Sequence, residues 1–467
     1  MMEAQTQDCL NVVQGQLLQG SPEDQFSGVS INSRTVSKGE LFVCIAGERF
    51  DGHDFLAEVI DKGVGGIILS DSDKLPHKPG PSAQKPFVIE VSDTLKALQD
   101  LASFQRKRFP FKVVAITGTN GKSTTKEMIA SILATKFKTL KTQGNLNNHI
   151  GLPLTLLKRE PSHEVGVLEM GMSAAGEIKE LAAIAQPDIG VITNISEGHL
   201  LHLKSLKDIQ SAKGELFDSL TEDSTAIVNA DDPLVLELAR SLRAKTITFG
   251  IDHPADVQAS EIESKGNAGF QFKVKLFDQT ISVRLPYLGY CNIYNTLAAL
   301  ATSHSLGIQE EAMTRGLENY QRMAQRNEQI QHGGMDLIND AYNANPRSMT
   351  EALKTLNNFT TQGQRIFVMG DMLELGELSV LAHKNLGEEI AQSKTNILVT
   401  VGELASLSGK KVQDLAGDKI QVAEFSDHQS AADFLIQQAV SGDCVLFKGS
   451  RGTAMEKILQ IFIANKN

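Results

Sequence analysis

The chain has 467 residues, too many for one ordinary core, so two to four domains are expected. With 41% hydrophobic and 22% charged residues it has the composition of a soluble globular protein. A formal charge of −11 without a basic run argues against nucleic-acid or membrane-surface binding, and leaves an anionic small substrate open wherever basic residues gather.

The cysteines Cys9, Cys44, Cys291 and Cys444 form no CxxC pair, so a disulfide framework or zinc site is not expected. The N-terminal MMEAQTQDCL lacks a basic region and an apolar core, and no apolar run is long enough to cross a bilayer. A cytoplasmic location without membrane insertion is expected.

In chain order, three blocks emerge. In the first, ELFVCIAG reads as a strand and HDFLAEVIDKG as a helix closed by glycine. GGIILS and PFVIEVS read as strands, and LKALQDLASFQRKRF as an amphipathic helix with a basic C-terminal turn. Between the two strands, DKLPHKPGPSAQKP is a surface loop, and Phe109-Pro110 marks the block's end.

The second block opens with the apolar strand KVVAIT, a glycine-rich loop and the helix KSTTKEMIASILATKF. VGVLEMG, IGVITNI, STAIVNA and KTITFG alternate with helices, which predicts a mainly parallel sheet covered on both faces. ADVQASEIE, GFQFKVKLF and QTISVRLP predict an antiparallel appendage, and NIYNTLAALATSHSLG a helix with a glycine stop. The third block, from about Gln325, alternates the strands MDLINDAY, RIFVMGD, NILVTVG and DCVLFKG with helices, giving a further α/β unit.

The loop TGTNGKST, Thr117 to Thr124, carries the clearest chemistry. Strand, glycine loop and helix are the context of a phosphate site, in which backbone N–H groups at the helix start hold phosphate oxygens. Lys122 is placed to reach terminal phosphates, and Ser123 or Thr124 offers a hydroxyl to magnesium. The loop is two residues shorter than the standard one: only Thr119 and Asn120 separate Gly118 from Gly121.

TGTNGKST resembles the ATP loop of the Mur ligase family, which folylpolyglutamate synthases share. The resemblance covers nearly the whole chain in order. It implies an α/β protein of three domains: a UDP-sugar-binding domain over 1–110, a central ATPase domain with a mainly parallel sheet over 111–324, and a Rossmann-like domain over 325–467 that closes on ATP and binds the acceptor.

Residue by residue, the resemblance implies the following roles. The whole loop, Thr117, Gly118, Thr119, Asn120, Gly121, Lys122, Ser123 and Thr124, binds ATP. QGNLNN and NNHIGLPLTLL resemble the segment of the D-alanyl-D-alanine-adding branch that holds the muramoyl peptide, giving Asn145, Asn147 and Asn148. VLEMGMSAAGEI gives Glu169 and VITNISEGHLLHL gives His199 as ligands of two magnesium ions. SAKGELFDSL gives Lys213, similar to the lysine that carbon dioxide carbamylates in most of the family, which turns a cation into an oxygen donor for metal.

YCNIYNTLAAL resembles the adenine-reading helix, giving Asn292 and, one turn on, Asn295; Cys291 stands where the family usually has histidine. In the third block AQRNEQI gives Arg326 on the ATP phosphates. DAYNANPRSM gives Asp340 on the ribose and Tyr342 and Asn343 near the reacting groups. FKGSRGTAM supplies Ser450 and Arg451. In the first block INSRTVSKGELFVCIAGERFDGHDF resembles the UDP-binding segment, giving Ser33, Arg34 and Thr35, with Asn32 where most relatives have aspartate.

The activity implied is ATP-dependent addition of D-alanyl-D-alanine to a UDP-N-acetylmuramoyl-tripeptide through an acyl phosphate, by a monomer. The rivals are a Mur ligase or folylpolyglutamate synthase with another acceptor and, in a different class, a phosphate-loop NTPase that works as a conformational switch.

Overall fold

The structure, a computed structural model, describes residues 2–76, 85–109, 111–198 and 203–466. Most of the 73–86 surface loop, Pro110 and His199 therefore fall outside the described residues. No helix among the described residues is long and apolar enough to cross a membrane.

A five-stranded sheet organises the first block. Its order is Gln16–Gln19, Phe87–Glu90, Gly66–Leu69, Leu41–Val43, Val29–Ser30, parallel except for the first pair. The inner strands Gly66–Leu69 and Leu41–Val43 are apolar throughout because both faces are covered; Ile67, Ile68 and Leu69 are all fully buried. The helix Thr94–Arg108 starts on an Asp93 side chain that accepts from Lys96 N, and its last turn is basic, as its dipole favours. The HDFLAEVIDKG segment begins as a 3-10 turn, Gly52–Phe55, before the α-helix Leu56–Asp61.

The second block forms a nine-stranded sheet. Five parallel strands at its centre are Val165–Glu169, Lys112–Thr117, Ile189–Ile192, Thr225–Asn229 and Lys245–Gly250, with the short Thr139–Lys141 on one edge. The antiparallel trio Val257–Ser264, Phe270–Leu276 and Gln279–Leu285 is not a separate appendage. Val257 pairs in parallel with Phe249, so the trio continues the central sheet through one mixed junction. The trio's alternation of buried and exposed residues shows one covered face, where Phe272, Val274 and Val283 pack under the helix Cys291–Ser305 and its neighbours.

The third block is a six-stranded sheet in the order Glu328–His332, Met335–Asn339, Cys444–Lys448, Arg365–Gly370, Ile397–Val401, Gln421–Phe425. Only its first pair is antiparallel. The helix Pro346–Asn358 follows the strand Met335–Asn339. It opens with a reciprocal cap, the Asn345 side chain on Ser348 N and the Ser348 hydroxyl on Asn345 N, with proline at its first position.

Candidate active site

The parallel strands of the second block end on one edge, and that edge faces the third block across a cavity of about 500 Å³. Ligand sites in such sheets form beyond the carboxyl ends of the strands. The phosphate loop follows the strand Lys112–Thr117, and its geometry explains both glycines. Gly118 has φ 143°, and a Cβ there would lie 1.9 Å from Thr193 Oγ1. Gly121 has φ 84°, and a Cβ would lie 2.3 Å from Asn295 Oδ1. A larger residue at either position would sit in a strained left-handed backbone and push aside the Thr193 or Asn295 side chain.

The loop is held from behind as well. Thr119 N donates to Asn194 O (2.8 Å), Asn120 N to Asn194 Oδ1 (3.1 Å) and Thr119 Oγ1 to Ser196 O (3.0 Å). Residues Thr119 to Thr124 line the cavity. Thr117 does not: its side chain is fully buried and donates to Met170 O (3.0 Å), so it braces the loop from below. Gly118 likewise lies under the loop's rim. Lys122 curls back, its ammonium donating to Gly118 O (2.8 Å) and Thr119 O (3.1 Å). Desolvation lowers its pKa, Glu169 opposes that, and the positive charge of Arg326 adds to it.

Glu169 ends the strand next to the loop. Its Oε1 accepts from Asn147 Nδ2 (2.8 Å), while its buried Oε2 has no hydrogen-bond partner among the described residues. An orphaned buried carboxylate oxygen in a cavity that Ser123 and Thr124 also line fits a cation such as magnesium, which takes one or two carboxylates and completes its shell with water and phosphate. No cluster of three or more His, Cys, Asp or Glu that could hold a metal occurs among the described residues. Lys213, from the helix Leu206–Asp218, is 1% exposed in the same wall. Burial, and then the charge of Lys122, push its pKa well below the usual lysine range.

Asn145, Asn147 and Asn148 all reach the cavity wall, but two of them are already engaged. Asn147 orients Glu169, and Asn148 Oδ1 accepts from Gly151 N (2.9 Å) at the start of the helix Gly151–Leu157. On the other flank Asn292 donates to Leu288 O (2.7 Å) and accepts from Asn295 Nδ2 (2.9 Å), while Asn295 Oδ1 also accepts from Thr125 Oγ1 (3.2 Å). Asn295 thus supports the phosphate loop. Cys291 lines the cavity as a neutral thiol, its pKa pushed up to about 12 by burial.

The third block supplies the opposite wall. Arg326 donates to Ser123 Oγ (3.1 Å), and its guanidinium carbon sits 4.0 Å from the centroid of the Tyr342 ring. Asp340 accepts from Asn327 N (3.1 Å) and pairs with Lys448 Nζ at 2.6 Å. Asn343 Oδ1 accepts from Arg451 N (3.3 Å). Arg451 itself turns to Gln325 Oε1 (2.9 Å) outside the cavity, and the Ser450 hydroxyl donates to Ala344 O (3.2 Å).

Ser33, Arg34 and Thr35 are not brought to this cavity. They form a turn at the carboxyl end of the first block's sheet, beside a shallow open groove lined by Ile31, Ile45, Arg49 and Phe50. Asn32 Oδ1 accepts from Arg34 N (3.0 Å), so the carboxamide supplies the turn-forming oxygen that an aspartate would offer.

Three participants escaped the sequence reading. Lys448 donates to the backbone of Asn343 (3.1 Å) as well as to Asp340, and so holds the DAYNANP loop in shape. Asn345 exchanges side-chain amide bonds with Asn120 of the phosphate loop (2.8 and 3.3 Å). Lys126 is buried behind Glu169. Lys126 carried a signal, since it lies one helical turn beyond Lys122 on the same face.

Comparison with known proteins bears on this arrangement directly. Three family models match in order: Mur ligase family, catalytic domain, over residues 25–106; Mur ligase middle domain, over 116–303; and Mur ligase, glutamate ligase domain, over 322–451. The UDP-N-acetylmuramoyl-tripeptide–D-alanyl-D-alanine ligase of Bacillus subtilis is 38% identical over 437 residues, 93% of either chain. A MurF crystal structure from Acinetobacter baumannii superposes with a TM-score of 0.88 at 33% identity, covering 100% of both chains. The Thermotoga maritima MurF ligase, solved in complex with ADP, gives 0.79 at 29% identity over 94% of this chain and 97% of that one. Glycine loop, strand-end carboxylate and facing aspartate therefore occur on a chain whose relatives match it almost end to end, and the chain belongs to the Mur ligase family.

Proposed function

We propose that this chain is the ATP-dependent ligase that joins D-alanyl-D-alanine to UDP-N-acetylmuramoyl-tripeptide, giving the muramoyl pentapeptide of peptidoglycan synthesis. The observation that carries the reading is the cavity itself, where the phosphate loop, the Asn145–Asn148 segment and the DAYNANP loop face one another. A switch NTPase has no need of the last two.

A carboxylate is a poor acyl donor because its leaving group would be oxide. The tripeptide carboxylate attacks the γ-phosphorus of ATP, ADP departs, and an acyl phosphate results. The amine of D-alanyl-D-alanine then attacks the acyl carbon, the tetrahedral intermediate expels phosphate, and the amine proton passes to a base or water. The protein's part is to position reactants and balance charge.

Lys122 releases the loop carbonyls to meet the β- and γ-phosphates. Arg326 moves from Ser123 onto the same charge. Asn292 and Asn295 face adenine, Asp340 the ribose, and Tyr342 and Asn343 the reacting groups. Ser123, Thr124, Glu169, His199 and a carbamylated Lys213 would hold two magnesium ions, whose chemistry is to neutralise the phosphate oxygens. The buried, deprotonation-prone Lys213 supports the carbamate, since only a neutral amine adds carbon dioxide. Ser33, Arg34 and Thr35 anchor the UDP end, and Arg451 is assigned to substrate binding. We assign residues 1–110 to nucleotide-sugar binding, 111–324 to ATP binding and 325–467 to closure and acceptor binding, in a cytoplasmic monomer.

The deciding experiment follows ADP release with each peptide substrate alone and with both. Turnover that needs both supports the ligase; full turnover with neither present rules it out in favour of a switch.

A further inference from the structure

The helix that leaves the phosphate loop buries a second lysine that the reaction above does not use. Lys126 is 0% exposed. Its ammonium donates to Thr142 O (2.8 Å) and lies 3.0 Å from Glu127 Oε1 and 3.8 Å from Glu169 Oε2. That Glu169 oxygen is the one with no hydrogen bond among the described residues. Thr142 ties the group together further, because its hydroxyl accepts from Glu169 N (3.0 Å). Glu127 in turn pairs with the half-exposed Lys141.

A cation this close to a carboxylate competes with any second cation for the same oxygen, and a buried lysine has no solvent into which to swing. A single carboxylate with water is already a weak magnesium site. With Lys126 beside it, Glu169 is neutralised before any metal arrives. Only a ligand that brings several negative charges of its own, such as a nucleotide polyphosphate, tips the balance toward the divalent ion.

We propose that Lys126 is a positioning residue that denies Glu169 to free divalent cations, so that the metal enters only together with the nucleotide phosphates. Glu127 sets the strength of this device, since it draws the ammonium away from Glu169. The inference rests on the reading of Glu169 as a metal ligand.

The test uses the full chain and Mn2+ as the probe, with free Mn2+ read by electron paramagnetic resonance, without nucleotide and with ADP. Folding of each variant is checked by circular dichroism and melting. Lys126→Met keeps the apolar stem and removes the charge. It should bind Mn2+ without nucleotide about 10-fold more tightly than the parent. Glu127→Gln should shift the other way and weaken Mn2+ binding in the presence of ADP, because Lys126 then turns fully on Glu169.

A merely structural lysine would lower the melting temperature and leave both affinities alone, which overturns the proposal. If Lys126→Met does not fold, the Glu127→Gln arm decides by itself, and an unchanged affinity there overturns the proposal too. Glu169→Ala separates the two layers. If it leaves Mn2+–ADP binding intact, the metal assignment has failed. If it abolishes that binding while the Lys126 and Glu127 variants stay silent, only the present inference has failed.

Discussion

The cleft between the second and third blocks and the turn at Ser33–Thr35 are built on opposite plans. The cleft collects Lys122, Lys126, Lys213, Arg326 and Lys448 against Glu169 and Asp340; Lys126, Lys213, Lys448 and Glu169 are buried, and Lys126 pairs with Glu169 and Lys448 with Asp340. The turn sits on an open sheet edge, shaped by Asn32 and by Lys62, which donates to Arg34 O (3.2 Å). Phosphoryl transfer needs charges pre-arranged where water cannot screen them, whereas a substrate's nucleotide handle needs only a fixed surface to lie on. Removing a charge from the cleft should therefore act on the chemical step, and removing one from the turn should act on binding alone.

The sharpest break is Lys122→Ala. It should lower kcat by about 1,000-fold with the melting temperature little changed, because it removes phosphate charge and not core. Near-normal turnover at saturating ATP would falsify the phosphate-loop role.

Lys213 comes next. Lys213→Ala and Lys213→Arg should both lose activity on the order of 100-fold, since neither forms the carbamate, and short carboxylic acids should partly rescue the alanine variant. A fully active arginine variant would show an ordinary structural cation. The pH dependence has a definite sign. Carbamate needs the neutral amine, whose fraction rises with pH. Because burial lowers the pKa of Lys213, bicarbonate activation should rise with pH and level off below the range of a surface lysine. Activity at several pH values with and without bicarbonate measures it.

Glu169→Ala should raise the magnesium requirement about 10-fold while UDP-sugar binding stays as it was. An unaltered magnesium titration would contradict the ligand role. The smallest effect belongs to the turn. Arg34→Ala should raise KM for the UDP-linked peptide about 10-fold at constant kcat. A matching fall in kcat would mean that the open edge takes part in the chemistry and that the contrast between the two regions is false.

How legible these regions were follows from what makes a sequence pattern visible. KVVAIT followed by GTNGKS announces itself because strand, turn and helix signals coincide within a few residues. The alternating trio from Val257 to Leu285 was also plain as strands. Its attachment was not, because the parallel pairing of Val257 with Phe249 is a long-range choice that leaves no local trace. The edge strand Glu328–His332, EQIQH, was missed because it is nearly all polar and takes its place from its neighbour. In the site, glycines and strand-end carboxylates could be read. Lys448 could not, since a buried lysine and a solvated one have the same letter and only packing tells them apart, and Lys126 left no more than its helical spacing from Lys122.

Asn345 caps the helix Pro346–Asn358 and, through the same side chain, grips Asn120 across the cleft. A change at this one position spends two interactions at once: it uncaps a helix, at about 1 kcal/mol, and unhooks the phosphate loop from the opposing wall. Tolerance to mutation should therefore be unusually low here for a residue that touches no reacting atom. A compound wedged between the two carboxamides would hold the blocks apart without resembling any substrate, which makes this seam a target for inhibition that competes with closure and not with ATP.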